Sequence, residues 1–123
     1  MKLELELCRE ILLRIENEGG INGLEKFPSI QGQSDDNVYY QIKKMTEAGY
    51  VKHKRYLEDK PYNLFKIEAT FHGHEFLKQM LDDTIWNKTK EIAKKGSLSL
   101  TFETVKAIIP AAVQAVISSI ANS

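Results

Sequence analysis

Lys43, Lys44, Lys52, Lys54 and Arg55 crowd into one stretch, KKMTEAGYVKHKR. Neutralising phosphates is the chemistry that such a cluster performs. Other side chains with chemical potential do not assemble into a site. His72 and His74 stand two apart, and positions i and i+2 of a helix do not share a face. A structural zinc would also need three or four ligands. Cys8 lies on an apolar helical face, where packing is its expected role. Asp82 and Asp83 read as a helix break or cap. No glycine-rich phosphate loop and no Ser/His/Asp pattern occurs, so neither an enzyme nor a bound metal or cofactor is expected.

The net charge of zero hides a gradient along the chain. Residues 1–42 carry four Lys and Arg against eight Asp and Glu, residues 43–66 seven against three, and residues 67–123 six against six. The one net-basic block therefore coincides with the cation-rich stretch. The lone cysteine cannot form an internal bridge, which suits a reducing compartment. MKLELELCRE lacks the layout of a signal peptide. No apolar run is read as reaching the roughly twenty residues of a bilayer span. A cytoplasmic protein without a membrane segment is expected.

The elements that must position the cations follow from periodicity and punctuation. Leu5, Cys8, Ile11, Leu12 and Ile15 recur at helical spacing and predict a helix over 2–17 that stops at Gly19. INGLEKF reads as a short irregular or extended segment ending at Pro28. PSIQGQ offers at most one helical turn. Ser34 is a natural N-cap, and Asp35 and Asp36 complement the dipole of a helix over 35–48 that ends at Gly49. Val38, Ile42 and Met45 form its core face. YVKHKRYL and NLFKIEAT predict a hairpin over 50–70, with EDKP as the turn.

That order, helix to glycine to hairpin to helix, predicts an α+β, mostly α, winged helix-turn-helix-like domain over residues 1–70. Its helix 35–48 would present Asn37, Tyr40, Gln41, Lys43 and Lys44 to the major groove of double-stranded DNA. Its wing would offer Lys52, Lys54 and Arg55 to flanking phosphates, with His53 helping. Asp36 counts against DNA, because it shares the exposed face. The weak first helix of the motif also favours the other class of function, a protein-binding module such as a phage inhibitor of a host or defence protein. Fold alone does not choose between them.

A C-terminal helical extension is expected over 71–123, with helices near 71–95 and 101–121. The first carries Phe76, Leu77, Met80, Leu81, Ile85, Trp86 and Ile92, with DDT as a point of recapping. Pro110 should kink or split the second. No charge follows Lys106, and Ile108, Ile109, Val113, Val116, Ile117 and Ile120 spread around the axis. The expectation is a homodimer in which two tails cover each other.

Three blocks carry a family resemblance: Arg9–Leu13 with Ile15–Glu16, the helix end at Glu47–Tyr50, and Gly73–Leu77 followed by Asp82–Lys88 and Lys90. In these the chain resembles domain-of-unknown-function family 2513, small proteins of phages, prophages and their bacterial hosts. The resemblance implies a winged-helix-like fold similar to the YjcQ-like proteins, and a mobile-element origin. It implies no catalytic residues. The chain departs from the family most in its tail, where Pro110 and a charge-free helix replace an amphipathic, Lys-bearing one.

Overall fold

A computed structural model describes residues 1–57 and 62–122. The fold is α+β and mostly helical, with five helices and a two-stranded antiparallel hairpin among the described residues. The chain forms two compact units, Met1–Leu77 and Lys78–Ser123.

The first unit is built on α1 (Leu5–Glu18), α2 (Asp35–Glu47), β1 (Val51–Arg55) and β2 (Leu64–Ala69), and α3 (Phe71–Met80) follows. Leu5, Cys8, Ile11, Leu12 and Ile15 of α1 are buried, as are Val38, Ile42 and Met45 of α2. Burying each such side chain contributes about 1.5–3 kcal/mol. The Cys8 thiol is pushed up from 9.0 to about 12, chiefly by burial, with the charge of Glu4 adding to it.

Helix α1 begins later than the expected residue 2. The backbone N–H of Glu4 donates to Gln41 Oε1 at 2.8 Å, and Gln41 Nε2 donates to the carbonyl of Lys2 at 2.8 Å. A side-chain amide thus pairs with the chain as a strand would, and holds the first residues out of the helix. No helix forms between Gly20 and Ser34. Ile30 to Gln33 make a single turn, and Arg14 Nη1 ties Ser29 to α1 at 3.2 Å.

The INGLEKF segment does more than connect. Leu24 pairs antiparallel with Ile67, exchanging both backbone hydrogen bonds at 2.8 and 2.9 Å. Strand β2 therefore has a partner on each edge. A Cβ on Gly23 would collide with the Ile67 backbone, so only glycine permits this approach. The β1/β2 register runs Lys52 to Glu68 and then Lys54 to Phe65, which leaves an extra residue on β2. Lys66 absorbs it with a φ of 50°, in the left-handed region. The expected turn, EDKP, lies outside the described residues.

The HGH motif is explained by packing at the start of α3. Thr70 Oγ1 accepts from Gly73 N at 3.1 Å and donates to the Gly49 carbonyl. A Cβ on Gly73 would strike the Tyr50 carbonyl. His72 stacks on Tyr50 with centroids 4.9 Å apart, whereas His74 Nδ1 lies 3.3 Å from Glu16 Oε2. The two imidazoles are thus engaged with different partners.

In the second unit α4 (Asp83–Lys95) packs on α5 (Phe102–Ala121). The stretch 71–95 is two helices, not one. They part at Leu81–Asp82, where the Asp82 carboxylate accepts from Ile85 N at 3.0 Å and caps α4. Trp86 is buried at 2% exposure, with the Lys90 ammonium 5.9 Å from its ring centroid.

Pro110 does not split α5, which is a single helix through it. The proline is exposed, so the carbonyl that loses its helical donor lies on the wet side, where water can replace the bond. α5 has 20 residues and a stretch of mean hydropathy 1.6, 22% of it buried. By length and composition it is long and apolar enough to cross a membrane, contrary to the reading of the apolar runs above.

Candidate nucleic-acid interface

The cations of the basic stretch are placed by α2 and by the alternation of β1. Successive strand residues face opposite ways, so the hairpin distributes its positive charge over two faces. Arg55 and His53 line a cleft of about 290 Å³ against Tyr39, Lys43, Thr46 and Glu47 of α2. Lys52, Lys54 and Lys66 line a second cleft, of about 350 Å³, together with Asn22 and Glu68. The expected wing contacts are therefore not one cluster. Lys43 and Arg55 come together, and Lys52 and Lys54 come together on the other side.

The ion pairs separate these cations further. Lys44 Nζ lies 3.1 Å from Glu47 Oε2, and this hydrogen bond is the main reason its pKa is raised. Its ammonium also sits 5.5 Å from the centroid of the half-buried Tyr40 ring. Lys52 Nζ lies 3.3 Å from Glu68 Oε1. Lys43, Lys54, Arg55 and Lys66 have no carboxylate partner among the described residues. These four carry the unneutralised positive charge of the surface.

His53 stands between the two clefts. Its Nδ1 is buried and lacks a well-formed hydrogen bond. Burial lowers its pKa, the Arg55 charge adds to that, and a backbone interaction with Lys54 opposes it. Burial and the Arg55 charge both favour the neutral ring beside its cationic neighbours.

Two expected groove readers are turned inward. Gln41 is fully buried. Its amide donates to Lys2 O and to Asn37 Oδ1 at 2.9 Å, and its carbonyl accepts from Glu4 N and the Cys8 thiol. All its hydrogen-bonding capacity is spent within the fold, which removes it from the base-reading set. Asn37 is half-buried, and its amide donates to Glu4 Oε2 at 2.7 Å and Gln33 Oε1 at 3.0 Å. It too is committed internally. Periodicity places both at the edge of the helix, and the extended Met1–Glu4 segment that covers them leaves no signal in it.

The hairpin instead brings up aromatic groups that the linear pattern did not single out. Phe27, Tyr39 and Tyr62 form a cluster with centroids 5.1–6.4 Å apart. The Tyr62 hydroxyl donates to Asp36, which raises the phenol pKa. Tyr56 stacks on Phe65 across the strands at 4.3 Å. Lys66 was also missed, since a bulge that turns it outward depends on strand register.

The self-association residues divide along α5. Ile108 and Ile109 are each 7% exposed and belong to the protomer's own core, so they cannot form a contact with another copy. Val113 and Val116 are half-buried, while Ile117 and Ile120 are 52% and 69% exposed. A groove of about 680 Å³ runs beside them, between α4 and the end of α5.

The chain belongs to the family of hypothetical proteins DUF2513, whose sequence model matches residues 2–99. It is similar to a protein of Haemophilus influenzae (strain ATCC 51907 / DSM 11121 / KW20 / Rd) described as an uncharacterized protein. The two are 30% identical over 108 residues, which cover 88% of this chain and 92% of that one. No solved structure matches the chain.

Proposed function

We propose that this protein is a non-catalytic, winged-helix-like nucleic-acid-binding module, with α2 as the reading helix and the β1/β2 hairpin as the wing. The observation that carries the reading is the cleft where Lys43 of α2 meets Arg55 of β1. Neither has a carboxylate partner among the described residues. Glu47 also lines the cleft but is paired with Lys44, so two uncompensated cations remain there for a backbone phosphate. The pairing of Leu24 with Ile67 supports the fold assignment, since it adds a third extended segment to the hairpin. A turn at Ile30–Gln33 stands where a helix-turn-helix has its first helix.

On this reading Lys54 and Lys66 guide the ligand along the second face, and Lys44 and Lys52 contribute less because Glu47 and Glu68 neutralise them. An accessory or regulatory role on DNA follows, in the cytoplasm and with a mobile-element origin, which rests on the family resemblance alone. A second copy of the chain would pair through the exposed end of α5.

Asp35 and Asp36 favour a second reading, that of a protein-binding module, because both are exposed at the end of α2 that would approach bases. Affinity capture from bacterial lysate, with and without nuclease, separates the two. Partners lost on nuclease treatment support nucleic acid. A protein that stays bound after nuclease supports the alternative.

A further inference from the structure

The basic surface is interleaved with aromatic rings, and their placement narrows the class of nucleic acid. Directly opposed residues of an antiparallel pair share a face, as do positions i and i+2 of one strand. Lys54 is paired with Phe65, and Tyr56 follows Lys54 by two residues. One face of the hairpin thus carries Lys54, Tyr56 and Phe65 together. Tyr56 is 53% exposed as a residue, and its ring stacks on Phe65 with an interplanar angle of 27°. Lys54 is the cation on that face, whereas Arg55 turns to the cleft beside α2.

A duplex hides its base faces in its own stack and offers phosphates and groove edges. An exposed, pre-stacked aromatic ring beside a cation suits a base with an open face. Stacking on such a ring tolerates any sequence and strengthens binding by about tenfold per base. We infer that the hairpin binds unpaired nucleic acid, with a base stacked on Tyr56 and the adjoining phosphate held by Lys54 on the same face. This rests on the nucleic-acid reading above and specifies its ligand.

Fluorescence anisotropy on the full chain tests it with two probes, an oligodeoxythymidine of about 20 nucleotides and a duplex of equal length. The single strand should bind about tenfold more tightly than the duplex. Tyr56→Ala should erase most of that preference and change duplex affinity little, while Tyr56→Phe should keep it. Thermal melting of each variant reports whether the ring is needed for folding. If Tyr56→Ala does not fold, the wild-type preference and the Tyr56→Phe protein decide. Equal or tighter duplex binding, or equal losses on both probes in a folded Tyr56→Ala, would overturn this inference and leave the nucleic-acid reading standing. Binding of neither probe would overturn both.

Discussion

The Tyr62 hydroxyl donates a hydrogen bond to the carboxylate of Asp36, and so joins the base of β2 to the first turn of α2. The relationship gives Asp36 a structural reason to be there. Its charge also favours the positive end of the α2 dipole. On the proposed nucleic-acid reading, the same carboxylate repels an approaching phosphate.

Asp36→Asn keeps an oxygen that accepts from Tyr62 and removes the charge. Affinity for nucleic acid should rise several-fold at low salt, measured by anisotropy. The Tyr62 phenol, raised above 10.0 mainly by that hydrogen bond and further by the Asp36 charge, should lose only the part due to the charge and stay raised, as followed by tyrosinate absorbance. Unchanged affinity would place Asp36 off the binding face.

Gln41→Ala should cost about 2 kcal/mol in urea denaturation, because it removes the fully buried partner of the Glu4 N–H and the Lys2 carbonyl and leaves a void in its place. Near-wild-type stability with altered sequence preference would restore Gln41 as a base reader.

Why Gln41 and Asn37 read as groove residues is a question of range. Helix α2 was legible because its signals are local: Ser34 accepts from Asn37 N at 3.1 Å, and Gly49 ends the helix with a φ of 82°. The hairpin strands were legible from β-branched and aromatic runs. What covers the edge of α2 is a segment more than thirty residues away in sequence, held by side-chain to backbone bonds that leave no periodic trace. The pairing of Leu24 with Ile67 and the Lys66 bulge are equally non-local. Periodicity also made α5 too uniform, since Ile108 and Ile120 look alike in sequence yet are 7% and 69% exposed.

Lys66→Gly should move stability and binding in opposite directions. A left-handed φ costs a side-chain-bearing residue about 1–2 kcal/mol, of which glycine's greater unfolded-state freedom takes back part. The melting temperature should rise by a few degrees. Affinity for nucleic acid should fall, because one unpaired cation is lost. A lower melting temperature would mean that the Lys66 side chain stabilises the bulge.

The exposed end of α5 predicts self-association without involving Ile108 or Ile109. Light scattering at tens of micromolar should report a dimer for the full chain and a monomer for Ile117→Glu/Ile120→Glu. Both substituted positions are exposed, so helix content should be unchanged by circular dichroism. A wild-type monomer would exclude the dimer.

The most direct measurement is the salt dependence of nucleic-acid binding by the wild type and by Lys43→Glu/Arg55→Glu. Each cation that displaces a counterion from phosphate adds about 0.7–0.9 to the slope of log affinity against log salt. With Lys43, Lys54, Arg55 and Lys66 engaged, the prediction is a slope of about −3. The double variant, folded by circular dichroism, should lose nearly all binding. Affinity that ignores salt, or a double variant that binds as well as the wild type, would contradict the assignment of this face to nucleic acid.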